Sequence, residues 1–273
     1  MFMTRDAWLA ERPYLNTIAK LHDVISAAAG EASISSVKVP LLDPYRDEFR
    51  AGVPLLLNSA VRIDVRPAET ALVTFVEHLA DRPMPEGFVQ EVRDFAADLR
   101  GDTDLAGHAI AWLLQRSTFP PRNPALLHFL GWIMMARYLN PLVNAFAAWR
   151  EEESWLRNYC PTCASPPAMA QILRAEPASL RFLTCGDCGT RWRFPRTRCP
   201  FCETEDDHLS ATMAIDGEHA LQIAFCNGCK GYLKTCSGEQ YEPFLLDDWT
   251  SLHLDVIAQD HGLKRYAASR YHL

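Results

Sequence analysis

The sequence predicts an α+β fold: a helical N-terminal domain, then two small four-cysteine metal modules, then a C-terminal helix. Three observations predict it. Eight of the nine cysteines form four Cys-x-x-Cys pairs, Cys160/Cys163, Cys185/Cys188, Cys199/Cys202 and Cys226/Cys229, and the first 159 residues contain no cysteine. Nine cysteines scattered at random would give only about 0.3 such pairs. Before that boundary, apolar residues recur with helical period; beyond it, short extended pieces alternate with Pro and Gly turns. The divisions expected are 1–155 (all α), 156–194 and 195–246 (one metal module each), and 247–273 (helix and tail).

The elements follow in order. A helix is expected from about Thr4 to Ala29, ended by Gly30 and divided or kinked at Pro13. Asp43-Pro44 opens a second, carrying Tyr45, Phe49 and Val53. Pro67 opens a third, with Leu72, Phe75, Val76 and Leu79 on one stripe. Pro85 opens a fourth, with Val89, Val92, Phe95, Ala96 and Leu99 at helical spacing and Gly101 as its stop. Asp102-Thr103-Asp104 caps a fifth through Leu105, Ile110, Leu113 and Leu114. Phe119 to Pro124 reads as a helix-breaking linker, and Ala125 to Trp155 as a long apolar helix interrupted near Pro141. Extended pieces are expected at Ser179–Thr184, Arg191–Phe194 and Leu221–Phe225. Asp247 or Asp248 caps a last helix bearing Trp249, Leu252, Val256 and Ile257, with Gly262 beyond its end.

Two Cys-x-x-Cys knuckles complete one tetrahedral site, so four complete two. Twenty-one residues separate Cys163 from Cys185 and twenty-three separate Cys202 from Cys226, and each gap fits a hairpin returning one knuckle to the other. These are rubredoxin-like or zinc-ribbon spacings. Sequential pairing is the reading preferred; the alternative joins the two middle pairs around one metal and the outer pairs around another. Pieces this short cannot bury a core alone, and a metal contributing about 10–16 kcal/mol per site can replace it. All-thiolate sites suit zinc and iron alike. Gly189 follows Cys188, where a left-handed backbone is wanted, but Ala164, Glu203 and Lys230 follow the other second cysteines. Those three turns must either tolerate a side chain or adopt another geometry.

Cys236, the ninth cysteine, reads as a buried small hydrophobe, with a spare reactive thiol as the sharper alternative. His208 and His219 read as surface or satisfied histidines, since eight cysteines already complete two sites. The basic run Arg191-Trp192-Arg193-Phe194-Pro195-Arg196-Thr197-Arg198 reads as solvated strand faces, with a partner surface as the second reading.

Composition excludes more than it assigns. A net charge of −7 is the wrong sign for a free-standing nucleic-acid binder. The most apolar run, Phe129 to Ala136, is too short for a membrane span. The N-terminus lacks the basic start, apolar stretch and cleavage site of a secretory signal. Paired cysteines then imply metal ligands or redox groups in a reducing compartment rather than a disulfide framework, and the expected location is the cytoplasm. There is no Gly-rich phosphate loop, no G-x-S-x-G elbow and no His-Glu-x-x-His pair, so no catalytic residues are assigned and no enzyme is expected.

The ordered series Cys160-Pro-x-Cys163, Cys185-x-x-Cys188 with Trp192, Cys199-x-x-Cys202 and Cys226-x-x-Cys229 resembles the formate dehydrogenase accessory protein FdhE family. So do Gly231-Tyr232-Leu233-Lys234 and the tail Asp247-Asp248-Trp249-x-x-Leu252-x-Leu254-Asp255. The similarity covers roughly Tyr159 to Leu263. It implies a helical domain joined to two rubredoxin-like modules with iron in the four-cysteine sites. It also implies a cytoplasmic maturation factor that docks on the catalytic subunit of a respiratory formate dehydrogenase. The ribbons, the Tyr232–Lys234 strand and the Asp247/Asp248 segment are the surface expected to meet that subunit. Two rival readings remain: a rubredoxin-like electron carrier or redox protein, and a zinc-ribbon nucleic-acid-binding module.

Overall fold

The computed structural model describes residues 4–175, 178–218, 220–237, 243–269 and 271. Its N-terminal part is helical: α1 (Arg5–Glu11), α2 (Asn16–Glu31), α3 (Arg46–Ala51), α4 (Arg66–Ala80), α5 (Glu86–Gly101), α6 (Leu105–Leu113) and α7 (Pro124–Trp149). Pro13 separates α1 from α2 through a single tight turn, Pro13–Leu15, as its missing N–H and fixed φ dictate. The second expected helix stops early. Gly52, at φ 90°, ends α3, and Val53 lies beyond it.

The α4 stripe of Leu72, Phe75, Val76 and Leu79 is fully buried, and α4 packs against α2, α5, α6 and α7. In α7 the apolar residues run around most of the helix, so it fills the middle of the domain. Its N-cap is Asn123, whose Oδ1 accepts the Leu126 N–H, and Pro124 occupies the first turn, so part of the expected linker is helix start. Two expectations for this segment are corrected. The helix runs through Pro141 without interruption, and it ends at Trp149 rather than Trp155. Pro141 and Asn140 are exposed, so the Arg137 carbonyl that loses its partner lies on the wet side, where water can satisfy it.

The C-terminal part is built on one six-stranded sheet in the order β3-β2-β1-β6-β5-β4. Its strands are β1 (Pro167–Leu173), β2 (Leu180–Cys185), β3 (Arg191–Arg193), β4 (Ser210–Ala214), β5 (Leu221–Cys226) and β6 (Tyr232–Ser237). The same series occurs twice: knuckle, two antiparallel strands, knuckle, third strand. The halves join edge to edge through the parallel pair β1–β6, in register Met169 with Lys234 and Gln171 with Cys236. Two separate ribbons would leave those edges open; fusing them satisfies both.

The helical part and the first half of the sheet share one core. It runs from Phe75, Leu130 and Phe146 through Trp155 to Trp192 and Phe194. A second core lies under the other half: Trp8 and Leu15 from the N-terminus meet Ile223, Tyr232, Leu254 and Ala258. The last helix, α8 (Leu252–Asp260), packs on β5 and β6. Its buried side is Leu254, Asp255 and Ala258, while Val256 is 59% exposed, contrary to the expected apolar face. Among the described residues, no helix is long and apolar enough to cross a membrane.

Candidate metal centres

Each knuckle is a tight turn closed by its own backbone. In the first, the Ala164 N–H donates to the Cys160 carbonyl and the Cys160 N–H donates to Ser165 O. The same two bonds recur from Glu203 and Cys199 in the third; in the fourth, Lys230 N–H bonds Cys226 O and Cys226 N–H bonds Gly231 O. This geometry puts the residue after the second cysteine in the left-handed region. Gly189 has φ 73°, and Ala164, Glu203 and Lys230 adopt φ 71°, 57° and 62°. The side chains are therefore tolerated without a different turn. The backbone N–H groups of Thr162, Phe201 and Gly231 point at the Sγ atoms of Cys160, Cys199 and Cys229, each at 3.4 Å.

The thiols converge in two groups of four: Cys160, Cys163, Cys185 and Cys188, and Cys199, Cys202, Cys226 and Cys229. Within each group the sulfurs all lie within 4.8 Å of one another. This is the sequential pairing. The closest contacts are 3.4 Å in the first group (Cys160–Cys188, Cys163–Cys185) and 3.8 Å in the second (Cys199–Cys229, Cys202–Cys226). A tetrahedron with metal–sulfur bonds of about 2.3 Å has sulfur–sulfur edges of about 3.8 Å. Each donor set fits one thiophilic ion, zinc or iron alike.

The thiols of each group are shifted in opposite directions. Burial pushes the Cys160, Cys163 and Cys185 thiols well above their ordinary range. At Cys188 burial acts the same way, but hydrogen bonds from the other three sulfurs and from Thr190 hold it well below that range. The second group splits similarly. Burial drives Cys199 up to about 12, while Cys226 is lowered by the N–H groups of Cys229 and Gly228 and by the other thiols, against its own burial. A divalent ion makes thiolates favourable where burial alone opposes them.

The surroundings differ. The first group is wholly buried, under the helical domain. Leu55 and Leu56 N–H groups bond the carbonyls of Pro161 and Thr162 at 2.9 and 2.8 Å, and Trp192 Nε1 bonds Arg157 O at 3.0 Å. Thr162 and Thr190 hydroxyls meet at 2.7 Å, and Ser165 donates to Asp187, which faces His128 at 3.3 Å. In the second group Cys202 is exposed and Cys229 half-buried. Its cover is the tail: Lys264 pairs with the last knuckle (N–H to Lys230 O, 2.7 Å), and Tyr266 stacks on Phe201 at 4.7 Å. Gly231 makes that stack fit, because a Cβ there would lie 2.5 Å from the Phe201 ring.

Other expectations resolve residue by residue. Cys236 is buried in the second core. His208 is exposed, and His219 lies outside the described residues. The basic run is a solvated face only at Arg196 and Thr197. Trp192 and Phe194 are buried, Arg191 lies 3.8 Å over Phe182 and donates to Gln171, and Arg193 pairs with Glu153.

The Tyr232–Lys234 strand and Asp248 are not surface either, although Asp247 is exposed; they form a buried ionic latch. Lys234 Nζ reaches Asp248 Oδ1 at 2.6 Å and Asp255 Oδ2 at 2.7 Å, and Arg265 hydrogen-bonds Asp248 and pairs ionically with Asp255, each at 2.7 Å. Tyr232 Oη donates to Asp255 at 2.6 Å, and Ser269 donates to Asp248. Despite burial, the Lys234 and Arg265 charges hold the Asp248 carboxyl far below the usual carboxylate range. Nothing in the sequence pattern marks Arg265, and Asp248 reads there as a cap and as part of an expected partner surface, not as half of a buried ion pair. The available signal is a lysine within a strand whose alternate neighbours, Tyr232 and Cys236, face a core.

Comparisons with known proteins agree with this arrangement. A family model described as the central domain of FdhE matches residues 159–196. A protein FdhE homolog from Pseudomonas aeruginosa is 36% identical over 172 residues, 58% of this chain and 54% of that protein. One from Aquifex aeolicus is 34% identical over 131 residues, 46% of each. Protein FdhE of Escherichia coli is 30% identical over 138 residues, 49% of this chain and 44% of that one. The matches thus span about half the length of these relatives. The crystal structure of the FdhE protein from Pseudomonas aeruginosa shares the fold, with a TM-score of 0.58 at 24% identity over 93% of this chain and 87% of that one. The resemblance to the FdhE family read from the knuckles is shown by these matches.

Proposed function

Proceeding from that resemblance to FdhE, we propose that this chain is a non-enzymatic accessory protein for the assembly or activation of a respiratory formate dehydrogenase. In this reading it acts in the cytoplasm and binds the catalytic subunit. Residues 1–155 are the scaffold, 156–194 and 195–246 the metal modules, and 247–273 the C-terminal helix and tail. The eight cysteines, Cys160, Cys163, Cys185, Cys188, Cys199, Cys202, Cys226 and Cys229, ligate two ions; the family resemblance favours iron, and zinc fits the same donors. The observation that carries the reading is the convergence of those thiols into two sets of four, the first of them inside the stretch, 159–196, matched by the FdhE central domain. The test is anaerobic purification of the tagged full-length chain from cells making a molybdenum-type formate dehydrogenase, with metal analysis. Two metal equivalents and a co-purifying catalytic subunit are expected. A doubly metallated chain that captures none, and whose deletion leaves formate dehydrogenase activity intact, overturns the proposal.

The exposed edge of the second thiol set favours a second reading, a rubredoxin-like electron carrier, because an iron there would lie near solvent. Reversible bleaching of a thiolate–iron absorption band by a physiological reductant distinguishes it. A colourless zinc protein refutes it.

A further inference from the structure

The sheet face turned away from α8 holds a cavity that the reading above does not use. Side chains alternate across each strand. Met169, Ile223 and Tyr232 join the core with α8, whereas Ala170, Ala224 and Leu233 line a cavity of about 290 Å³ beside the second thiol set. Three arginines reach it, Arg181 from β2 and Arg196 and Arg198 from the loop leading into Cys199. Among the described residues, no carboxylate lines it.

The guanidiniums of Arg181 and Arg198 lie over the Phe194 ring, at 5.1 and 5.3 Å, and among the described residues neither hydrogen-bonds a carboxylate. Arg181 donates to the carbonyls of Pro195 and Arg198, but its Nε is buried with no hydrogen-bond partner. Arg198 Nε is also buried without a hydrogen bond; Glu205 approaches it only to 3.6 Å, from a largely exposed position. Arg196 is exposed. Burial first, then the charges of Arg196 and Arg198, lower the Arg181 guanidinium to about 10 against the pull of Cys199. Four thiolates around a divalent ion leave about two negative charges, so three guanidiniums outnumber what the neighbouring centre would neutralise.

We propose that this cavity binds a small free oxyanion, a phosphate- or carboxylate-bearing molecule, gripped by Arg181, Arg196 and Arg198 with its body against Ala170, Ala224 and Leu233. Arginine forks suit both head groups. The volume lies at the small end of ligand sites, which favours a compact anion over a nucleotide. The assignment is independent of the FdhE reading.

The test is calorimetric titration of the metal-loaded full-length chain with inorganic phosphate, sulfate and acetate at constant ionic strength. One saturable site per chain is expected, weakened about tenfold or more in Arg196→Gln/Arg198→Gln with both metals retained. Arg196→Gln alone, at an exposed position, gives a smaller loss and guards against a folding defect. Preference for phosphate assigns a phosphoryl ligand, and preference for acetate a carboxylate. Absence of saturable binding by the unaltered chain, or equal binding by the double variant, overturns the proposal. So does loss of the second metal from the variant when the unaltered chain binds no anion; the arginines then serve only to offset the thiolates.

Discussion

The two thiol sets share one knuckle geometry and differ in what covers them. The first lies under the helical domain, with its knuckle backbone bonded to Leu55 and Leu56 and its cysteines inside the largest core. The second lies at the far end of the sheet with Cys202 in solvent, covered by Tyr266 and Lys264 of the tail. The same local chemistry therefore yields one candidate site built into the main fold and one near the rim. Stability should follow the first and exchange should follow the second.

The largest effect tests the first half of that contrast. Cys185→Ser/Cys188→Ser should abolish cooperative unfolding of the whole chain, because the lost ion, worth about 10–16 kcal/mol, lies in the core the helices share. Cys202→Ser/Cys226→Ser should keep helical circular dichroism and one metal equivalent. Equal collapse of both variants would erase the distinction.

Next in size is the latch. Lys234→Met leaves two buried carboxylates with Arg265 as their remaining cation in the latch and should cost about 3–5 kcal/mol in denaturant unfolding. The damage should fall on the tail and the second metal. Because the Asp248 carboxyl is depressed, its contribution is fully present above the ordinary carboxylate range and fades only as pH falls through its lower folded value. In the unaltered protein the latch therefore holds through mild acid, and a loss of the tail contact between pH 7 and pH 5 would contradict it.

What the chain announced and what it concealed divide along physical lines. The knuckles were legible because tetrahedral thiolate ligation demands fixed spacing, and the α4 stripe because one face is buried. Fusion of the two ribbons into one sheet was not legible. It depends on the β1–β6 pairing of strands more than sixty residues apart, and β1 carries no alternation, being buried along Pro167–Gln171. Pro141 misled because its missing donor matters only where water cannot reach. The latch was hidden because its four charges come from three separated segments, and each alone reads as surface.

A kinetic prediction sharpens the second half of the contrast. A thiophilic chelator should remove the metals in two phases of equal amplitude. The fast phase, about tenfold quicker or more, comes from the set with exposed Cys202, since the buried set must first open. A single phase at one rate would mean that the cover makes no difference.

The smallest effects probe the knuckle turns themselves. Ala164 and Glu203 hold the same left-handed conformation, at φ 71° and 57°. That conformation costs a residue with a Cβ about 1–2 kcal/mol, partly offset in glycine by its larger entropy loss on folding. Ala164→Gly and Glu203→Gly should each therefore stabilise by about 0.5 kcal/mol. The place where the gain is read should differ. At Ala164 it should raise the global unfolding midpoint, because that turn is bonded into the helical domain. At Glu203 it should leave the midpoint nearly unchanged and slow the fast phase of metal release. If both gains appear only in the midpoint, the rim site is as deeply tied to the fold as the buried one, and the contrast in cover has no energetic meaning.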